Sequence, residues 1–122
     1  MALPERAGEL LLLHNPGCSK SRAAEAWLRE RGVRFGLRRY LEDPLSRSEL
    51  AELRKRLARP VREWTRTGEA AFRALGLPPQ PGDEALLDAI AREAILLERP
   101  ILVSAERAVV GRPVESLIAL LP

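Results

Sequence analysis

The stretch Leu10 to Arg22 constrains this chain more than any other: Leu-Leu-Leu-Leu-His-Asn-Pro-Gly-Cys-Ser-Lys-Ser-Arg. Four consecutive leucines bounded by turn residues predict a short strand buried on both faces. Asn15, Pro16 and Gly17 then turn the chain out of regular structure. Cys18 follows, the only cysteine of 122 residues. Behind it, Ser21 to Arg31 has helical spacing, with Ala23, Ala24, Trp27 and Leu28 inward, until Gly32 stops it. A helix start offers unpaired backbone N–H groups and the positive end of the helix dipole. Both stabilise an anion, so a cysteine placed there has a lowered pKa and becomes a thiolate nucleophile. A lone cysteine is more often a small buried hydrophobe. Gly17, Ser19, Lys20, Ser21 and Arg22 are poor company for that role, and Lys20 and Arg22 favour the thiolate.

Residues 1–8 read as a loose leader and residues 9–14 as strand one. From Val33 the pattern alternates: Val33, Phe35 and Leu37 against Arg34, Gly36 and Arg38, a half-exposed second strand. Strand, helix and strand make a βαβ unit with parallel strands. Ser46-x-x-Glu49 is a capping box opening a helix with Leu50, Leu53 and Leu57 inward, which Pro60 ends. Shorter helices are expected from Pro60 to about Arg66, with Val61 and Trp64 inward, and from Glu69 to Leu75. Asp83 caps a longer one with Leu86, Leu87, Ile90 and Ala94 on one side. Residues 46–97 thus form a helical insertion, which no flexible linker separates from the single domain, 1–122.

Pro100–Ser104 and Ala108–Gly111 read as a hairpin. Pro113 opens a closing helix with Val114, Leu117, Ile118 and Leu121 inward. The class is α/β: β-α-β, a helical insertion, then β-β-α, around a mixed four-stranded sheet, is the thioredoxin-like arrangement. A proline before the third strand faces the thiol in that fold, so the Arg99–Pro100 bond is expected to be cis.

A single cysteine excludes an internal disulfide and fits a reducing cytoplasm. The leucine run is too short for a signal peptide or a membrane span. With one histidine and one cysteine, no metal-ligand cluster is available, and no bound cofactor is expected. A net charge of +3 with few aromatics gives no surface suited to nucleic acid. Of 20 basic residues only Lys20 and Lys55 are lysine. Compositional bias accounts for most of the arginines, yet arginine is also the better residue for forked recognition of oxyanions. Arg22 follows Cys18 too closely for a phosphatase loop. No long exposed apolar stripe argues for a dimer, so a monomer is expected.

The chain resembles the glutaredoxin-coupled (ArsC-like) arsenate reductases from Leu10 to Leu121. The resemblance rests on His14-Asn15-Pro16-Gly17-Cys18 with Ser21-Arg22, on Tyr40-Leu41-Glu42 with a following proline, and on Val61-Arg62-x-x-x-Arg66. It continues through Arg99-Pro100-Ile101 and Gly111-Arg112-Pro113. It implies Cys18 as nucleophile, Arg66, Arg99 and Arg112 as the arginines that bind arsenate, and His14 and Ser21 as residues that tune the cysteine. A lone histidine ending strand one could equally be a satisfied structural residue. Departures are local: Ser19-Lys20 replace the Gly-Thr of the best-known members, and Gly111 replaces a cysteine. The Cys-Ser-Lys-Ser-Arg version looks like a subgroup of the family. The resemblance further implies glutathione and glutaredoxin as external reductants and arsenate, or a similar oxyanion, as substrate. Two other roles share the fold. One is a glutathione-linked thiol oxidoreductase with another substrate. The other is an Spx-like redox regulator binding RNA polymerase, whose usual second switch cysteine is here Ser21.

Overall fold

In the computed structural model, which describes residues 1–122, β1 (Leu11–His14) runs through the middle of a four-stranded sheet. Its neighbours are β2 (Gly36–Arg39), which is parallel, and β3 (Ile101–Val103), which is antiparallel. β4 (Ala108–Val110) pairs antiparallel with β3, giving the order β2-β1-β3-β4. This is the mixed thioredoxin-like sheet that the pattern predicts.

Coverage on both faces explains why β1 is apolar without alternation. Leu11 and Leu13 enter a large core with Ile101, Val103, Leu50, Leu53, Trp64 and Leu86. Leu12 and Leu102 enter a smaller one with Ala24, Leu28 and Leu117. Each fully buried leucine stabilises the fold by about 1.5–3 kcal/mol before chain entropy is set against it. α1 (Ser19–Glu30) supplies the smaller core. α2 (Arg47–Leu57), a 3-10 turn (Val61–Trp64), α3 (Ala70–Ala74) and α4 (Asp83–Arg92) supply the larger. Ser46 caps α2 as expected: its Oγ accepts from the Glu49 N–H at 3.1 Å, and Glu49 Oε1 accepts from the Ser46 N–H at 3.0 Å.

One set of contacts ties the two ends of the insertion together. Thr65 and Leu97 form an isolated antiparallel bridge. The Arg66 N–H donates to the Leu96 carbonyl at 2.7 Å, and the Glu98 N–H to the Trp64 carbonyl at 3.0 Å. The segment carrying Arg66 is thereby stitched to the segment that leads into Arg99.

The structure corrects several expectations. Residues 1–8 are no loose leader: Leu3 and Pro4 are buried, and the Pro4 carbonyl accepts from Arg56 Nη1 at 2.8 Å. α1 begins at Ser19, two residues early, and Ala23 is exposed because the buried stripe runs through Ser21, Ala24 and Leu28. Arg38, assigned to the solvent face of β2, is buried. Gly82, not Asp83, is the N-cap of α4; the Asp83 carboxylate pairs with Arg54 instead, at 2.9 Å. α4 ends at Arg92, so Ala94 belongs to the 3-10 turn that succeeds it. The closing element is a 3-10 helix, Val114–Leu120, with Pro113 as its cap residue. A three-residue period puts Val114, Leu117 and Leu120 on the core side and leaves Ile118 exposed. The Arg99–Pro100 bond is cis as expected, and Arg112–Pro113 is cis as well. No helix is long and apolar enough to cross a membrane.

Candidate active site

The Cys18 loop is built by its own side chains. Asn15 Oδ1 accepts from the Gly17 N–H at 2.9 Å, the local bond that makes asparagine a turn residue. The Cys18 N–H donates to the Asn15 carbonyl at 3.0 Å, closing the turn, and Arg22 Nη1 donates to the Pro16 carbonyl at 2.8 Å. Cys18 is the N-cap of α1, with extended backbone, and its carbonyl accepts the first helical bond from the Arg22 N–H. Its side chain is half-buried at the positive end of a 12-residue helix.

Burial alone would push the thiol up. The N–H groups of Ser21 and Lys20, together with the charge and donors of Arg99, more than reverse this, so Cys18 lies below the ordinary thiol range. It is a thiolate-forming cysteine.

Ser21 and His14 stand behind the loop. Ser21 is fully buried, and its Oγ accepts from the Asn15 N–H at 2.9 Å and lies 2.9 Å from His14 Nδ1. The Ser21 hydroxyl donates to Nδ1 when the ring proton is on Nε2, and accepts from Nδ1–H in the other tautomer. Nε2 faces Glu25 Oε1 at 3.6 Å. Burial lowers the His14 pKa, opposed by Glu25 and aided by Arg39, Arg22 and Arg29, which favours the neutral ring. No hydrogen bond runs from His14 to the sulfur. Its link to Cys18 passes through Ser21, whose hydroxyl pins the loop while its N–H stabilises the thiolate.

The three arginines converge unequally. Arg99 acts directly on Cys18. Glu98 Oε1 accepts from the Arg99 N–H at 3.1 Å and from its Nη1 at 3.3 Å. Arg112 Nε donates to the Arg99 carbonyl at 2.8 Å and lies 3.6 Å from the same Glu98 oxygen, half-exposed at the rim. Arg66, whose direction the sequence does not give, follows the Thr65–Leu97 bridge, and its backbone N–H is held by the Leu96 carbonyl. Its Nη1 donates to the Ile95 carbonyl at 3.2 Å and its Nη2 pairs with Glu69. Arg66 and Arg99 both act on the hydroxyl of Tyr40, which also feels the Cys18 thiolate. Cys18, Arg99, Arg66 and Tyr40 are thus coupled electrostatically, and Arg112 is tied to Arg99 through the Arg99 carbonyl.

Tyr40, Asn15 and Glu98 are missed by sequence reasoning. Tyr40 reads as a core aromatic, and Glu98 carries no signal beyond its place before Arg99. Asn15 alone has a readable cue, its place in the loop before the thiol.

The ArsC family model matches residues 13–120. The chain belongs to the ArsC family. It is 42% identical over 115 residues to the arsenate reductase of Neisseria meningitidis serogroup A, covering 93% of this chain and 98% of that one. It is 37% identical over 112 residues to the uncharacterised protein YfgD of Escherichia coli K12, covering 90% and 94%. Among solved structures, the arsenate reductase of Vibrio cholerae superposes with a TM-score of 0.87 at 37% identity, covering 95% of this chain and 100% of that one. The ArsC motifs therefore lie on the ArsC fold along nearly the whole chain.

Proposed function

We propose that this protein reduces arsenate to arsenite. The observation that carries the reading is a thiol at a helix N-terminus whose pKa is lowered by backbone N–H groups and Arg99, with Arg112 bonded to the Arg99 carbonyl. Arsenate is a tetrahedral anion of one to two charges near neutrality, and planar guanidinium forks with backbone N–H groups suit it. Relatives named arsenate reductase at 34–42% identity support the same substrate.

The Cys18 thiolate attacks arsenic, a sulfur–arsenic bond forms, and a protonated oxygen leaves as water. Arsenic(V) then needs two electrons. The chain has no second cysteine to form an internal disulfide, so an external thiol is required, and the family resemblance supports glutathione in that role. Glutathione attacks the Cys18 sulfur and the sulfur–arsenic pair passes to arsenic. Arsenite departs, leaving a mixed disulfide in which both sulfurs are oxidised. Glutaredoxin returns Cys18 to the thiol. We assign this cycle to a monomer in the reducing cytoplasm.

The test is arsenate-dependent NADPH consumption with glutathione, glutaredoxin and glutathione reductase. Cys18→Ser should abolish turnover, and Arg66→Ala and Arg112→Ala should lower it. A folded parent that ignores arsenate, while Cys18 still reacts rapidly with an alkylating agent, would sink the substrate and leave a thiol oxidoreductase acting on something else.

A further inference from the structure

Tyr40 is the only tyrosine in the chain and comes directly after β2. β1 and β2 are parallel, with His14 opposite Arg39, so the next residues, Asn15 and Tyr40, leave the same end of the sheet together. The Tyr40 side chain is 1% exposed and its ring belongs to the large core. Its hydroxyl has no hydrogen-bond partner. The Asn15 side chain acts on the hydroxyl, yet no contact between the two has hydrogen-bond geometry. Buried tyrosine hydroxyls normally find a partner, because a lost hydrogen bond is not repaid by the protein interior.

Only one other buried side-chain atom in the molecule is in the same condition, the Arg99 Nε. Both orphans belong to groups that act on one another and adjoin Cys18 in its electrostatics, one an O–H and one an N–H. Both can donate, so a ligand with two acceptor oxygens would satisfy them together.

We propose that the Tyr40 hydroxyl donates a hydrogen bond to an oxygen of the tetrahedral oxyanion held at Cys18, making Tyr40 a specificity-determining residue of the site. This rests on the reading of the site as an oxyanion site. Burial pushes the Tyr40 pKa up, and the Cys18 thiolate adds to this against Arg99, Arg66 and Asn15, so the hydroxyl keeps its proton and serves as a donor. It is a neutral donor among guanidinium groups. It therefore discriminates by direction, where they act largely by charge.

Tyr40→Phe removes the hydroxyl and keeps the ring. The variant should lose about ten- to a hundredfold in kcat/KM for arsenate, the scale of one hydrogen bond to a charged group. The arsenate concentration that half-protects Cys18 from iodoacetamide should rise by a similar factor. Alkylation without arsenate should stay within about twofold of the parent, and Tm should not fall, since an orphaned hydroxyl is all that is lost. An active parent with a variant equal to it in both turnover and protection would overturn the proposal, as would a variant whose Tm and arsenate-free alkylation change together. A parent that binds arsenate protectively yet reduces none would refute the reduction alone, with the protection ratio still deciding Tyr40. A parent protected by neither arsenate, phosphate nor sulfate would overturn both.

Discussion

Arg38, within β2, and Arg99, just ahead of β3, are both largely buried, yet they are treated in opposite ways. The Arg38 guanidinium makes five hydrogen bonds: to Glu49 at 2.7 and 2.9 Å, to the Met1 and Pro44 carbonyls at 2.8 Å each, and to the Asp43 carbonyl at 3.0 Å. That uses every donor it has. Arg99 is held by Glu98, adjoins the thiol and keeps its Nε unpartnered. The difference separates architecture from chemistry. Arg38 fastens the N-terminal segment, the loop after β2 and the capping box of α2 into one knot, whereas Arg99 is positioned and left short of partners, as a residue that waits for a ligand must be.

The largest effect that could break this contrast comes from Arg38→Ala. It strands a half-buried Glu49 carboxylate and three carbonyls, and should cost about 3–5 kcal/mol of stability. Chemical denaturation measures it, and arsenate turnover per folded molecule should be unchanged. If turnover per folded molecule fell as well, the two arginines would not be separable.

Arg99→Ala should do the reverse. A loss of about a hundredfold in kcat/KM is expected, on the scale of a transition-state donor, with little change in unfolding free energy. The pH midpoint of Cys18 alkylation should move up, because a stabilising charge has gone. Arg99→Lys should restore much of that midpoint but less of the turnover, since lysine supplies charge without the fork.

The smallest effect sharpens the role of His14. Its pKa is held below 6.5 in the fold, so the unfolded chain takes up a proton first as pH falls. The stability this gives is present in full above 6.5 and is gone once pH has dropped through the folded value. Unfolding free energy should therefore decline as pH falls below 6.5, by at most about 1.4 kcal/mol per pH unit. His14→Gln should flatten that limb. A parent with no such decline would mean that the ring protonates as easily inside as outside.

How much of the molecule is legible in its sequence depends on where each cause lies in the chain. The leucine run, the Pro-Gly turn and the capping box act within a few residues, and they yield β1, the thiol loop and α2 correctly. Arg38 defeats the pattern because alternation assigns polar residues to solvent. Its partners come from Met1, Pro44 and Glu49, and only the folded chain brings those together. Ile118 defeats it because a four-residue helical step puts it inward, where the chain takes a three-residue one. The identities of the site arginines come from ordered motifs, but their convergence depends on pairings that no local pattern encodes. Tyr40 is hidden for a further reason. A tyrosine ring in a core is ordinary, and only the missing partner of its hydroxyl sets it apart.

The Thr65–Leu97 bridge also has a consequence for how this chain can vary. It draws the stretch bearing α3 and α4 into a closed bag whose drawstring lies between Arg66 and Glu98. The arginines are mounted at the drawstring. The exposed Pro78-Pro79-Gln80 segment joins α3 to α4, where added residues cost only slowly growing loop entropy. Length and cargo are thus negotiable there, while a single residue inserted at Thr65 or Leu97 would slip the register that holds the Arg66 backbone.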